Sequence, residues 1–502
     1  MRPTKRRTLM VCCALASLFL APLSAVAQGE PAAVSAPEEK QSPKQRLEQL
    51  EEENKDFRSR IESLELFRKE AFKQERQSAW ADRFTLGIQA RSRFEGRFNY
   101  DRDSDVGDKD GFVLLRARLH ALARATEDVK AFVQIQGSQV YGGVATDPAV
   151  FGPGNSLDSN TDVLDNEGVS IHQAYAELTC GDCLNFSLRL GRQEMRFGDE
   201  RLVGALDWVN RARSFDGVSL LHTTKPHKTQ IFFDVIRRRE NPDTPPIPPA
   251  PVSQPNDSFF AGFYNSAPQF LGGFDYYTFV YWDGDGTTQT SPADDADLVI
   301  AAFGLRNKNI PKEGFGYDLE AVYQAGENDA AKIRAFAVHS ALAYTFESDL
   351  SPQLLAEYNV ASGEKDPATQ GDEDNQFQNL FPTNHGKYGH IDFVSWSNLH
   401  HVKGAFSIVP TEGLSLAAEY HEFFAYEPSG AIGVAPSAIT AAPARTERHF
   451  GREVDFVWKW RWRPEVLFLG GYSLFLPGKM FTASSLKGDP VHFAYTMISV
   501  EI

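Results

Sequence analysis

Phe84-Thr-Leu-Gly-Ile-Gln-Ala-Arg-Ser-Arg-Phe-Glu-Gly-Arg-Phe98 sorts its side chains onto two faces. Phe84, Leu86, Ile88, Ala90, Phe94 and Phe98 share one face, and Arg91, Arg93, Glu95 and Arg97 share the other. A side-chain period of two marks a strand with one apolar and one polar side. The pattern recurs along the chain. In 112–124, Val113, Leu115, Ala117, Leu119 and Ala121 oppose Arg116, Arg118, His120 and Arg124. In 184–190, Leu184, Phe186, Leu188 and Leu190 oppose Asn185, Ser187 and Arg189. In 333–346, Phe336, Val338, Leu342, Tyr344 and Phe346 oppose Ala335, Ala337, His339 and Ala341. In 452–463, Val454, Phe456, Trp458, Trp460 and Trp462 oppose Glu453, Asp455, Lys459, Arg461 and Arg463.

Segments of this kind suit a soluble sandwich, with its apolar face inward, or a membrane barrel, with that face toward lipid. Full charges crowd the polar faces while the apolar faces run unbroken. Trp458, Trp460 and Trp462 gather beside the Arg463-Pro464-Glu465 turn, as an interfacial girdle does. These features predict an all-β fold, a transmembrane antiparallel barrel of about eighteen strands over 83–502. The segments begin near 83, 111, 129, 170, 184, 214, 229, 274, 298, 314, 333, 352, 390, 401, 413, 450, 465 and 491. With both termini periplasmic, the tight connections 126–128, 180–183, 410–413 and 464–465 fall on the periplasmic side. The long ones, 99–110, 141–169, 191–213, 237–273 and 425–449, fall outside. Two connections, 284–297 and 362–389, are long but land on the periplasmic side; either the strand boundaries there are misplaced, or 362–389 is a periplasmic loop that folds toward the pore.

Outward from the barrel, the N-terminus reads as an export leader over 1–27. Arg2, Lys5, Arg6 and Arg7 precede a short apolar core, and Ala25-Val26-Ala27 forms a cleavage signal. Residues 28–43 read as a flexible linker. In 44–78, Leu47, Leu50, Asn54, Phe57, Ile61 and Leu64 recur at steps of three and four, the seam of a short coiled coil able to self-associate through 47–64. A single amphipathic helix gives the same pattern.

Composition sets outer bounds. The chain has 502 residues, 12% of them aromatic, which excludes disorder over most of its length. A mean hydropathy of −0.36 excludes a bundle of transmembrane helices. A net charge of −16 argues against nucleic-acid binding. The acid is concentrated: 99–110, 157–167, 283–297 and 362–375 hold nineteen acidic residues against the basic Arg102, Lys109 and Lys365. Past the leader the remaining cysteines are Cys180 and Cys183, in Cys-Gly-Asp-Cys between two strand-like runs. The spacing fits a hairpin disulfide, a redox pair or half a zinc site; without a second ligand pair, the small disulfide is favoured.

Three stretches resemble the bacterial alginate export family. They are Leu190-Gly-Arg-Gln-Glu-Met-Arg-Phe-Gly-Asp-Glu-Arg-Leu-Val-Gly204 with Asp207-Trp-Val-Asn210 and Phe215-Asp-Gly-Val218, then Asn379-Leu-Phe-Pro-Thr-Asn-His-Gly-Lys-Tyr-Gly389 with Trp396-Ser-Asn398, then Gly470-Gly-Tyr-Ser-Leu-Phe-Leu-Pro-Gly478. The resemblance covers roughly 83–502. It implies an outer-membrane barrel of eighteen strands whose arginine-rich lumen passes an anionic uronate polysaccharide.

A pore needs a charged, hydrated lumen rather than a catalytic group. The polar faces carry Arg91, Arg93, Arg97, Arg116, Arg118, Arg124, Arg189, Lys459, Arg461 and Arg463 against Glu95, Glu453 and Asp455. Arg192, Arg196 and Arg201, from the first motif, continue this lining at the mouth. Guanidinium forks suit carboxylates on a polyuronate; the same side chains also suit bracing against lumen carboxylates. His385, His390, His400 and His401 lack the helical spacing of a hydrolytic zinc site, so no metal or cofactor is expected. The leading function is a passive outer-membrane channel for an anionic polysaccharide, its N-terminal tail in the periplasm and lipid around its barrel. The same barrel passing another small or hydrophobic solute is the nearest alternative, and a secreted β-fold polysaccharide lyase is the rival from a different class.

Overall fold

The computed structural model describes residues 44, 60–63, 65, 66, 83–100, 102–105, 109–142, 168–180, 185–236, 258–283, 298–328, 331–365, 373–433, 439, 445–484 and 486–502. The chain divides into two units, Met1–Ser78 and Ala79–Ile502. In the first, the described residues are helical. The leader, the linker and most of the expected coiled coil lie outside the described residues.

The second unit is built from strands that lie side by side in chain order. They are β1 (Phe84–Phe98), β2 (Lys109–Arg124), β3 (Val129–Gly142), β4 (Gly168–Cys180), β5 (Phe186–Gln193) and β6 (Phe215–Thr223). Then come β7 (Lys228–Ile236), β8 (Ser258–Ala267), β9 (Phe274–Asp283), β10 (Leu298–Asn309), β11 (Gly314–Asn328), β12 (Ala331–Thr345) and β13 (Gln353–Ala361). After the two-residue β14 (Glu373–Asp374) follow β15 (Leu399–Thr411), β16 (Leu414–Ala425), β17 (His449–Arg463), β18 (Val466–Pro477) and β19 (Val491–Glu501). Each long strand pairs antiparallel with its neighbours; β13 pairs directly with β15, while β14 rests parallel on β12. β1 also pairs with β19, Phe94 opposite Thr496, which closes the sheet. The result is a closed antiparallel barrel of eighteen long strands with no free edge.

The period of two explains the two surfaces. Leu86, Phe315 and Leu342 stand on the outside with 76%, 81% and 65% of their surface uncovered. Dozens of such side chains form a belt that water does not tolerate and lipid does, each worth roughly 2 kcal/mol on transfer. On the inner face the alternate residues are covered: Arg91, Arg93 and Glu95 on β1, Ala335, Ala337 and His339 on β12. Trp460 and Trp462 lie at the end of β17, beside the 464–465 turn.

One expected segment is not a strand and one strand is absent from the expected set, so the two errors cancel in the count. The segment near 390 is not a strand: Ile391, Phe393, Val394 and Trp396 are buried in a loop. The missing strand is β8, Ser-Phe-Phe-Ala-Gly-Phe-Tyr-Asn-Ser-Ala, which lies inside the expected 237–273 connection. It escapes the alternation test because both its faces are apolar, with Phe259 and Phe263 on one and Phe260 and Tyr264 on the other. Restoring β8 reverses the side of every connection from there to the segment near 390. Connections 284–297 and 362–398 then leave the same end as the other long ones, and 268–273 and 310–313 join the short turns. All four acidic connections therefore start from one end of the barrel.

Candidate functional site

The segment between β5 and β6, residues 194–214, turns into the barrel. At one place it is gripped by the β1–β2 wall. The Asp207 carboxylate lies 3.0 Å from Arg116 and 3.1 Å from Arg118. Arg91 donates to the carbonyls of Asp207 (2.6 Å) and Val209 (2.9 Å), and Arg93 to that of Trp208. A few residues earlier the same segment is gripped by a different wall. Asp199 lies 2.9 Å from Arg306 and 2.7 Å from Lys308, both on β10. Arg201 reaches His339 on β12 (3.0 Å), Glu357 on β13 (3.6 Å) and Glu320 on β11 (3.7 Å). β1 and β10 are half a circumference apart in the closed ring. The segment is therefore a crossbar strung between opposite walls of the lumen.

A second inward segment, 375–398, seats on the crossbar. Phe381 exchanges backbone hydrogen bonds with Leu202 (2.8 Å) and Gly204 (2.9 Å), and Val203 pairs with Phe381 as a bridge. Arg213, fully buried, donates to the carbonyls of Gly204, Phe381 and Pro382 and so clasps the two segments. The Trp208 ring stacks on His385, centroids 3.5 Å apart, with the Arg93 guanidinium 3.8 Å from its centre. Gly389 (φ +87°) lets the second segment approach β17: a Cβ there would sit 2.5 Å from the Glu453 carboxylate. That carboxylate accepts the His390 (2.6 Å) and Ile391 (3.0 Å) backbone N–H groups.

Between crossbar and wall the β6–β9 side is filled with rings. Phe197 and Phe381 pack among Phe215, Phe232, Phe260, Phe279 and Tyr281. The polar lumen expected from alternation is thus apolar on this side, which is why β8 shows no alternation.

The expected lining residues fall into several groups. Arg91, Arg93, Arg116 and Arg118 are covered by the crossbar and hold it, while Arg201 lies on the crossbar and is buried against the β11–β13 wall, so these guanidinium groups face protein rather than open lumen. Arg97 pairs with Glu95 at 2.9 Å. Arg189 and Arg196 stay partly open, with side chains 22% and 42% exposed; they face Glu177, Glu194 and Glu200. Arg192 does not line the lumen: it shares the outward face of β5 with Leu188 and Leu190 and pairs with Asp216 there, because the strand alternation that turns Arg189 inward turns Arg192 outward. Arg189 helps line a cavity of about 660 Å³ with Glu177, Thr179, Ser187 and Lys225 near the short-turn end. Arg124, Lys459, Arg461 and Arg463 are exposed near that end; Arg124 donates to Thr85 (2.9 Å) and Arg461 to the Pro464 carbonyl (3.0 Å). Cys180 is disulfide-bonded; Cys183 lies outside the described residues.

Burial alone would push the Asp207 carboxyl up, but Arg116, Arg118 and Arg91 outweigh it and hold it below the usual carboxylate range. Burial, then Arg93, presses His385 down to about 3. Burial, then His385, presses His390 to about 4, and burial lifts Asp392 to about 8. His385 Nδ1 lies 2.8 Å from Asp392 Oδ2, a contact between a neutral ring and a carboxylic acid. The Asp207 end of the crossbar is thus held by charge, whereas His385 and Asp392 meet within the second segment as neutral groups.

Among the described residues, Glu419, His421 and Asp455 bring metal-ligand-type atoms within 4.8 Å of one another. Lys403 Nζ already lies 2.6 Å from Glu419 Oε2 and supplies positive charge there. Several of these functional groups carry weak sequence signals. Asp207 and Trp208 stand inside the first motif, but only the fold shows what they hold. Arg306, His339, His401 and His421 each occupy the polar face of a strand and meet only when those strands are adjacent.

The alginate export family model matches residues 82–488. No curated protein matches the chain. Among solved structures, Acinetobacter baumannii OccAB2 superposes with a TM-score of 0.53 at 12% identity, covering 85% of this chain and 99% of that one. The outer membrane protein opdK from Pseudomonas aeruginosa gives 0.51 at 10% identity, covering 84% and 99%. These likenesses establish the barrel fold. Family and fold together place the chain among porin-like outer-membrane barrels. It belongs to the alginate export family.

Proposed function

We propose that the protein is a passive outer-membrane channel for an anionic, alginate-like polyuronate. The observation that carries the reading is the charge balance around the crossbar. Arg91, Arg93, Arg97, Arg116 and Arg118 converge on one wall and meet Asp207 and Glu95 as their own carboxylate partners, with Glu194 shared at 3.7 Å. Five guanidinium groups against fewer carboxylates leave a positive field in a partly dry lumen, where charge acts more strongly than in water. Arg189 and Arg196, partly open on the adjoining β5 side, are the groups placed to touch a passing chain. Their existing pairs with Glu177 and Glu194 make each contact exchangeable, so a polymer binds weakly at successive sites and moves on. The acidic connections at the long-loop end then belong to the outer rim, and Cys183 is the proposed partner of Cys180.

Current block tests the reading. With the protein in a planar bilayer, uronate oligomers should interrupt the current in a length-dependent way, and neutral dextran oligomers of equal size should not. Equal block by both would remove the anionic specificity and favour a channel for another solute.

A further inference from the structure

One buried chain of contacts on the lumen wall runs on from the Arg201 anchor. From the crossbar, Arg201 Nη2 lies 3.0 Å from His339 Nε2. His339 Nδ1 lies 2.7 Å from Asn359 Oδ1. Asn359 Nδ2 lies 2.8 Å from Glu357 Oε1 and 2.9 Å from His401 Nδ1. His401 Nε2 lies 2.9 Å from His421 Nδ1. His421 Nε2 lies 3.3 Å from Glu419 and 3.2 Å from Asp455. The chain runs across β12, β13, β15, β16 and β17, and His339, Asn359, His401 and His421 are all buried.

Its proton positions follow from its ends. A guanidinium only donates, so His339 Nε2 accepts and the ring carries its proton on Nδ1. That N–H donates to Asn359 Oδ1. A carboxylate only accepts, so Glu357 independently demands the Asn359 NH2 on its own side. The second N–H of that amide donates to His401 Nδ1, which leaves the His401 proton on Nε2. It donates to His421 Nδ1, and the His421 proton on Nε2 points at Glu419 and Asp455. Three neutral imidazoles are thus held in single tautomers, all donating in one direction.

We propose that Asn359 is a positioning residue whose amide polarises this relay, and that the relay latches the crossbar through Arg201 only while its histidines are neutral. A second proton finds no acceptor within it. On His401 Nδ1 it meets the Asn359 amide, and on His421 Nδ1 it meets the His401 N–H. On His339 Nε2 it puts two donors 3.0 Å apart and a cation against Arg201. Relief lies at Asp318 on β11, whose Oδ2 is 3.8 Å from His339 Nε2. Turning that way gives up Arg201, which keeps Glu320 and Glu357 as weaker, longer contacts. The other titratable and charged groups facing the relay are Glu357 at His339 (3.4 Å), Lys308 (3.0 Å) and Arg306 (3.5 Å) at Asp318, Tyr388 against the His401 ring, and Lys403 and His390 beside Glu419. Acid therefore unlatches the crossbar from the β12 wall, and the lumen widens. A cation at Glu419, His421 and Asp455 would need His421 Nε2 bare, against the polarity of the chain.

The inference requires a channel but no particular solute. Single-channel conductance of the full chain in planar bilayers, from about pH 8 to about pH 5, tests it. Conductance should rise as pH falls across that range. His339→Gln can accept from Arg201 and donate to Asn359 without titrating; it should keep the alkaline conductance and lose the rise. Asn359→Asp accepts from both neighbouring rings and recruits extra protons, so its transition should move up by about one pH unit. A flat wild-type profile, or wild-type profiles in both variants, would overturn the latch and leave anion passage untouched. Should His339→Gln fail to assemble, the Asn359→Asp shift decides alone.

Discussion

Arg116 and Asp207 sit 3.0 Å apart, one on the barrel wall and the other at the far end of a crossbar whose near end is fixed to the opposite wall. The pair turns a loop into a strut. A barrel of eighteen strands encloses a lumen too wide to select by contact, and a strut divides it.

Asp207→Asn should loosen that strut without releasing it, because Arg91 and Arg93 still hold the carbonyls of residues 207–209. The Asp207 side chain is 37% exposed, so solvent screens the pair. The expected cost is about 1–2 kcal/mol, below that of a fully buried pair. Its carboxyl is held low in the fold. The stabilisation is therefore present above the unfolded value near about 3.9 and fades as pH falls below it. Open-channel current noise at neutral pH should increase in the variant; unchanged noise would show that the carboxylate pairs are idle.

Arg213→Met should separate the two inward segments. It removes the charged donor from three carbonyls and leaves them buried, a loss of about 3 kcal/mol. The barrel belt is untouched, so the protein should still assemble, but the 375–398 segment should become cleavable by protease added to the folded protein. Equal resistance in variant and wild type would argue against the clasp.

Asp392→Asn should stabilise the protein increasingly as pH rises. Burial lifts the Asp392 acid to about 8, whereas an exposed aspartate titrates near about 3.9. Between those values the unfolded chain has released a proton that the folded chain keeps, so wild-type stability falls through that window. The substituted amide has no such slope and can still donate to His385. The variant should gain about 3–4 kcal/mol between about pH 5 and about pH 8 in thermal unfolding. A pH-independent difference would contradict the neutral His385–Asp392 contact.

Gly304→Ala should displace Tyr277. The ring lies across Gly304, and an added Cβ would come within 2.0 Å of it. The Tyr277 hydroxyl donates to Glu320 at 2.6 Å, so the clash also disturbs the Arg201 anchor. A cost of about 2 kcal/mol in thermal unfolding is expected. No loss would mean that the ring has room to move.

Alternation alone revealed most of this molecule. Where one face met lipid and the other met polar groups, as on β1, β2 and β12, the period of two marked the strand and its inward residues. It failed where the lumen is filled. Phe260 and Phe279 point inward at Phe197 and Phe381, so β8 has no polar face and looked like a loop. Ile391, Phe393, Val394 and Trp396 are apolar because a packed loop buries them inside the barrel, and so 390 looked like a strand. The arginines were legible as inward, but their covering was not, since Asp207 and Trp208 reach them from the segment that crosses the lumen. The relay was still harder to see, because His339, His401 and His421 are brought together only by strand order.

The central claim is that the lumen carries a positive field which Arg189 and Arg196 present to the solute. Reversal potential under a potassium chloride gradient measures it directly. Wild-type channels should be anion-selective, and replacing those two arginines with alanine should move the reversal potential toward zero. A cation-selective wild type, or a reversal potential unmoved by the two substitutions, would contradict the claim.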